Sequence, residues 1–378
     1  MALSTETSTP AEAARLPVGR RALLALSRLW AWAFLLLLIL FFVASVPIFS
    51  GISFLSIRNS QNILIAIVPV LLLALGQTFV IISAGIDLSV GWVMSLASVL
   101  SALALRDSFD AGVPLPLAVL LGFCAAVLGA GAVGCINGII IAKLKVPAFI
   151  VTLGSSFIVR GLALLWSENT TVVGLPDGVR AYGNESLVYL VSGDHPAFSV
   201  FAPPTLTGDM LRHMDRILPW PVVVTIVVVG MAMFLLHRMQ FGRYTYAIGG
   251  SMQASLRAGI PVDRHIIKLY TLSAVTAGIG GFLSMLQFTA GSASIGDPLL
   301  LSSIAAVIIG GVSLFGGAGT VIGTVIGALI IAVLTTGLVM LNVPAFWQFI
   351  VVGAVVIIAV LIDQSRELIV GRHAGGSQ

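Results

Sequence analysis

The sequence predicts an all-α polytopic membrane protein of about ten transmembrane helices with both termini cytoplasmic. Three observations lead there. Of 378 residues, 58% are hydrophobic and only 9% charged, and the mean hydropathy is +1.10; soluble domains carry roughly a quarter charged residues. The apolar runs are about 20 residues long, the length a helix needs to cross hydrocarbon and too long for barrel strands. Thirteen basic residues, from Arg15 to Arg372, fall in segments on one side of the runs. Five fall on the other (Arg58, Arg106, Arg180, Arg212 and Arg216), and Arg160 lies inside a run. The richer side is the cytoplasmic one, so the net charge of +4 reports orientation and not nucleic-acid binding.

Taken in order, residues 1–28 form a cytoplasmic N-terminal tail, 29–363 the transmembrane domain and 364–378 a cytoplasmic C-terminal tail. Ten spans are read at 29–49, 62–83, 88–105, 116–141, 148–166, 219–237, 267–290, 299–313, 319–341 and 345–362. The first run follows Arg15, Arg20, Arg21 and Arg28 like a signal peptide, but no small-residue cleavage site precedes its continuation, so it is kept as a span. Pro69 should kink span two, since it lacks an N–H and its ring crowds the preceding turn. Cys124 and Cys135 share span four about 16 Å apart along a helix, too far to bridge, and read as small packing residues. Small residues at helical spacing, Ala126, Ala130, Gly134 and Gly138 in span four and Gly319, Gly323 and Gly327 in span nine, let helices approach closely.

Two extramembrane segments stand out. The outer loop, 167–218, is acidic and rich in Pro and Gly, and reads as a solvated loop with a short helix near residues 208–217. The cytoplasmic loop, 238–266, contains the Gly-punctuated stretch FGRYTYAIGGSMQASLRAGIP at 241–261. Residues 251–258 can make two helical turns, ended by Gly259 and stopped by Pro261. A short capped helix between spans suits docking to another protein.

Chemistry-bearing groups are few. No G-x-x-x-x-G-K-[ST] motif occurs and the lysines are Lys143, Lys145 and Lys268, so nucleotide energy must come from a partner. His195, His213, His237, His265 and His373 read as interfacial or solvated. Arg160, about twelve residues into span five, would cost roughly 2.5–3.5 kcal/mol in hydrocarbon unless paired or facing water. It reads equally as a pathway or interhelix ion pair and as a snorkelling side chain. Asp87, between spans two and three, can cap the third helix or serve gating or solute contact. Gln77, Thr78, Asn137, Thr152, Gln287 and Gln348 are neutral hydrogen-bonding groups within spans, suited to a polyhydroxylated solute and equally to helix contacts. Scarce intramembrane carboxylates and histidines argue against a proton-coupled carrier.

Four stretches together carry a resemblance: AGIDLSVG at 84–91, INGIIIAKLKVPAFIVTLG at 136–154, FGRYTYAIGGSMQASLRAGIPVDR at 241–264 and IAAVIIGGVSLFGGAGTVIGTVIGALI at 304–330. In their order and spacing over residues 60–363, they resemble the permease subunits of ribose-type sugar ABC importers. The resemblance implies a permease subunit of the bacterial cytoplasmic (inner) membrane that pairs with a second, identical chain in membrane lipid. It also implies a cytoplasmic sugar-type ATPase, which would carry ATP and Mg while this chain carries no cofactor, and a periplasmic solute-binding protein. Residues 251–260 look like the coupling helix seated in a groove of that ATPase. The coupling residues so implied are Gly249, Gly250, Ser251, Met252, Gln253, Ala254, Ser255, Arg257, Gly259 and Ile260. Met252 and Gln253 replace acidic positions common in the family and Ser255 replaces an Ala, which points to pairing particular to its own ATPase. Gly85, Asp87, Leu88 and Ser89 match the GIDLS signature, and Thr152, Leu153, Gly154 and Arg160 the fifth-span pattern. Gln77, Asp87, Ser89, Asn137, Thr152, Arg160 and Gln287 are the candidate pathway or gating residues. Leu300 and Leu301 stand where the family often has Glu-Leu, and the outer loop is long, so the solute need not be ribose. The competing reading is a self-sufficient secondary carrier or channel; a membrane-embedded enzyme has little support, because no nucleophile–base or metal cluster converges.

Overall fold

The computed structural model describes residues 18–191, 197–201 and 214–371 and is predominantly helical. The ends of both tails, the histidines at 195, 213 and 373, and residues 208–213 of the expected outer helix lie outside the described residues. The long helices are α1 (Val18–Ser50), α2 (Ile57–Ile82), α3 (Val90–Asp110), α4 (Leu115–Lys143) and α5 (Ala148–Trp166). After the short α6 (Val179–Asn184) come α7 (Trp220–His237), α8 (Gln240–Gly250), α9 (Met252–Arg257), α10 (Val262–Phe288), α11 (Asp297–Ile309), α12 (Val321–Met340) and α13 (Ala345–Gly371). Eight of these are long and apolar enough to cross a membrane: α1 from Trp30, α2, α3, α4, α5, α7, α10 and α12.

Helix ends follow local chemistry. Ser56 caps α2 by accepting from Asn59 N–H, and Thr320 caps α12 by accepting from Gly323 N–H. Pro114, Pro147 and Pro219 precede α4, α5 and α7, where a missing N–H is harmless. α10 is the central post, packed on α2, α3 and α4. The small-residue stripe of α4 makes this possible: a Cβ on Gly138 would lie 2.7 Å from Ile267 Cα, and one on Gly134 2.5 Å from Ala274 Cβ. Gly323 and Gly327 do the same for α12 against Gly310 and Ala306, while Gly319 stands before the helix. Cys135 is half-buried, but Cys124 is exposed on α4.

Two departures from regular spans matter most. The expected span at 299–313 is a helix of 13 residues, about 20 Å long against roughly 30 Å of hydrocarbon. Before it, residues 289–296 run alongside α3 without forming helix. Gly291 lies against Ala102 and Gly296 against Gly91; Ser292 N–H donates to Ser98 Oγ (3.2 Å) and Gly296 N–H to Ser95 Oγ (2.9 Å). Non-helical backbone at membrane depth survives only where protein satisfies it, and the serines of α3 supply the acceptors. Residues 83–89 likewise fold back along α2, so α3 also starts inside the bundle.

The outer loop is more ordered than its composition suggests, and the protein is not all-α. β1 (Val188–Val191) pairs antiparallel with β2 (Ala197–Val200) and β3 (Met214–Arg216) in the order β2-β1-β3. Met214–Arg216 is therefore strand, not the helix expected there. The alternating burial of β1, with Tyr189 and Val191 buried, is the period-two pattern that composition hides. α6 docks on the end of α10, where Gly183 meets the Leu286 backbone and Asn184 Nδ2 donates to Gln287 O at 3.1 Å.

Candidate functional site

The fold-back after α2 brings four of the predicted residues together. Asp87 is 1% exposed. Its Oδ1 accepts from Ser89 N–H (3.0 Å) and the Ser89 hydroxyl (2.6 Å), and its Oδ2 accepts from the Ser273 hydroxyl (2.9 Å). Gln77 Nε2 donates to the Asp87 carbonyl, and Asn137 Nδ2 donates to Ser89 Oγ at 3.1 Å. Tyr270 reaches the Ile86 carbonyl. Gln77, Asp87, Ser89 and Asn137 thus form one buried seam joining α2, the 83–89 segment, α4 and α10. Asp87 grips the amide of Ser89, just before α3, and adds the tie to Ser273. Gln77 is five residues from the end of α2 and Asn137 six from the end of α4, which places the seam about 8–9 Å inside the bundle.

The other predicted pathway residues lie elsewhere. Thr152 is fully buried, but its hydroxyl returns to the Ala148 carbonyl of its own helix (2.9 Å). Arg160 is exposed on α5 with its guanidinium 4.6 Å from the Trp92 ring centroid, a cation–π contact rather than an ion pair among the described residues. Gln287 sits at the opposite end of α10, beside α6. Ser273 and Tyr270 were not singled out from the sequence, since lone hydroxyls in apolar runs are common helix contacts.

The second assembly is at the same end as the seam. Residues 240–250, which carry three glycines, form α8, a helix the sequence did not announce. α8 is held on α10 by His265, which is buried and not solvated: Nε2 lies 2.9 Å from Thr245 Oγ1 and the ring 4.6 Å from that of Phe241. Ser251 accepts from Ala254 N–H and starts α9. Gly259 (φ +75°) ends it, with Gly259 N–H donating to Leu256 O and Ile260 N–H to Ser255 O, the paired bonds of a Schellman cap. Among Met252–Arg257 only Ser255 is buried, while Met252, Gln253, Ala254, Leu256 and Arg257 face outward. Ser255 therefore faces this chain.

α9 hangs from a junction of three backbones. A Cβ on Gly249 would overlap the Ile82 carbonyl and lie 2.5 Å from Gly317 N, whereas one on Gly250 would meet nothing within 4 Å. Gly317 N–H donates to Ile82 O (2.8 Å), and Tyr246 Oη donates to Gly319 O (2.7 Å). Burial holds the Tyr246 phenol above its ordinary range, keeping it a donor. Nearby, Asp263 pairs with Lys145 (2.8 Å) and Lys143 (3.7 Å).

Residues 59–360 match the family described as the permease component of the branched-chain amino acid transport system. The chain is 36% identical over 349 residues to the xylose transport system permease protein XylH of Haemophilus influenzae, covering 83% of this chain and 91% of that protein. It is 35% identical over 331 residues to the fructose import permease protein FrcC of Rhizobium meliloti (87% and 84% covered) and 35% identical over 315 residues to the ribose import permease protein RbsC of Bacillus subtilis (83% and 87% covered). No solved structure matches. With eight membrane-length helices, of which all but α1 fall in the family match, the chain is a multi-pass membrane transport component and belongs to this family of transport-system permeases.

Proposed function

We propose that this chain is the permease subunit of an ATP-driven importer that carries a sugar or sugar-like polar solute across the bacterial inner membrane. It works as a pair of identical chains, with a separate ATPase that binds ATP and Mg on the cytoplasmic side and a solute-binding protein outside. Ten segments cross or enter the membrane, with α11 and the start of α13 counted beside the eight long helices, and both termini are cytoplasmic. The observation that carries this reading is α9: a helix capped at both ends, exposed except for Ser255, and mounted on the backbone junction of Gly249, Ile82 and Gly317. A surface so presented and so rigidly held suits transmission of force from a partner. The names of the relatives, xylose, fructose and ribose permeases, support a neutral sugar as the solute class.

The test is reconstitution in proteoliposomes with the ATPase and binding protein of the same operon and labelled D-xylose, D-ribose and D-fructose. ATP-dependent uptake is expected. Gly259→Pro should uncouple it, because proline fixes φ near −65° where the chain needs +75° and removes the N–H bonded to Leu256. Normal coupled uptake by that variant, or solute flux through this chain alone, would refute the assignment.

A further inference from the structure

A cavity of about 410 Å³ opens at the other end of the bundle from α9, bounded by the first half of α2, the last turns of α10 and the start of α11. It lies where the chain is least regular. Pro69 lines it, and because proline has no N–H the Ile65 carbonyl, also in the wall, receives no bond from residue 69. Leu299, in the first turn of the half-length α11, also lines it. Cavities formed at interrupted helices inside the membrane are where transporters bind solute.

Three polar side chains, Asn62, Ser284 and Gln287, line the cavity. Among the described residues none of the three makes a side-chain hydrogen bond, although Ser284 is only 3% exposed. Hydroxyls elsewhere in the long helices, such as Thr78, Thr225, Thr271 and Thr335, donate to the carbonyl four residues back. Ser284 does not, so its hydroxyl is left for an occupant. No charged side chain lines the cavity, which disfavours an ion, since a charge taken out of water needs a partner. The remaining wall is apolar and includes Phe288. The volume falls within the roughly 300–1,000 Å³ typical of small-molecule sites.

We propose that this cavity is an intramembrane binding station that takes a neutral, polyhydroxylated solute of monosaccharide size through hydrogen bonds from Asn62, Ser284 and Gln287. The proposal rests on the importer reading. The same reconstituted importer tests it with Ser284→Ala and Gln287→Leu. Each should lower the sugar moved per ATP hydrolysed about tenfold for one lost hydrogen bond, and should lower it less for a deoxy sugar that already lacks the partnered hydroxyl. Cysteines placed at 284 and 287, with Cys124 and Cys135 changed to alanine, should react with a polar methanethiosulfonate, and the transported sugar should slow that reaction. Sugar moved per ATP within twofold of the parent in both variants, or labelling that sugar does not slow, overturns the site. Absence of uptake in the parent importer overturns the importer reading instead, and sugar protection of the cysteines still decides the cavity.

Discussion

Gly249→Ala and Gly250→Ala differ by one position and should behave as opposites. The added methyl at 249 falls inside the Ile82 carbonyl and 2.5 Å from Gly317 N, while ordinary contact begins at 3.4 Å, so the segments must part by at least about 1 Å. The Gly317 N–H bond to Ile82 O, now 2.8 Å, does not survive such a shift. Overpacking of this kind costs about 1–3 kcal/mol and the lost bond about 1 kcal/mol, so Gly249→Ala should destabilise the chain by about 2–4 kcal/mol. At Gly250 nothing lies within 4 Å, and alanine at a helix end should change stability by less than about 1 kcal/mol, in the favourable direction. Thermal unfolding of both variants in nanodiscs measures the first quantity, and uptake per ATP in the reconstituted importer measures its consequence. Gly249→Ala should lose most coupled uptake and Gly250→Ala should keep it. If the two variants melt together and transport alike, the junction does not hold α9 in place.

Three further outcomes follow from the geometry. Asp87→Ala strands the Ser89 amide, the Ser89 hydroxyl and the Ser273 hydroxyl, and should lower stability by about 2–4 kcal/mol, whereas Asp87→Asn keeps an acceptor and should lose about half as much; equal losses in a nanodisc melt would contradict the hydrogen-bond account. Met252→Asp with Leu256→Asp, at two exposed positions one helical turn apart, should leave the melting of the isolated chain unchanged while weakening retention of the ATPase at least about tenfold, an effect of desolvating charge at an interface core; normal retention would move the docking surface elsewhere. Arg160→Leu removes a membrane-depth charge worth roughly 2.5–3.5 kcal/mol of insertion penalty and a cation–π contact worth about 0.5–2 kcal/mol, so stability should hold or rise; a loss above about 1 kcal/mol would contradict this account of Arg160.

The helical runs were legible because hydrophobic length is the signal membranes impose, and α9 was legible because Ser251, Gly259 and Pro261 are explicit stop and start chemistry. α8 was not: Gly242, Gly249 and Gly250 read as breakers by propensity, and only the close approach of the Leu236 backbone at 242 and of Ile82 and Gly317 at 249 shows why glycine is needed at those two positions. The chain at 289–296 falls almost wholly in the gap between the spans read at 267–290 and 299–313, and nothing in its own residues shows that it runs inward along α3. Its signal lay in another helix, in Ser95 and Ser98, whose spacing on α3 gains meaning only when the backbone they serve is known. The candidate site divided for the same reason. Gln77, Asp87, Ser89 and Asn137 met because a loop folded inward, while Thr152 satisfied its own helix, and no linear pattern distinguishes those two fates.

The two irregular segments are one mechanical unit. Residues 83–89 run from Ile82, where α9 is mounted, to the first turn of α3, and Gly91 in that turn lies against Gly296, which begins the half-helix α11. Asp87 fastens the middle of this path to α10 through Ser273, and Asn137 fastens it to α4 through Ser89. A push at α9 therefore meets backbone held by hydrogen bonds to two long helices, not a slack loop. At the far side of Gly296 lies the wall of the cavity containing Leu299. On the proposed function, a buried carboxylate at Asp87 makes sense as a fastener: its three donors come from two separate segments, so the docking end and the solute end cannot move independently without breaking bonds that water does not replace.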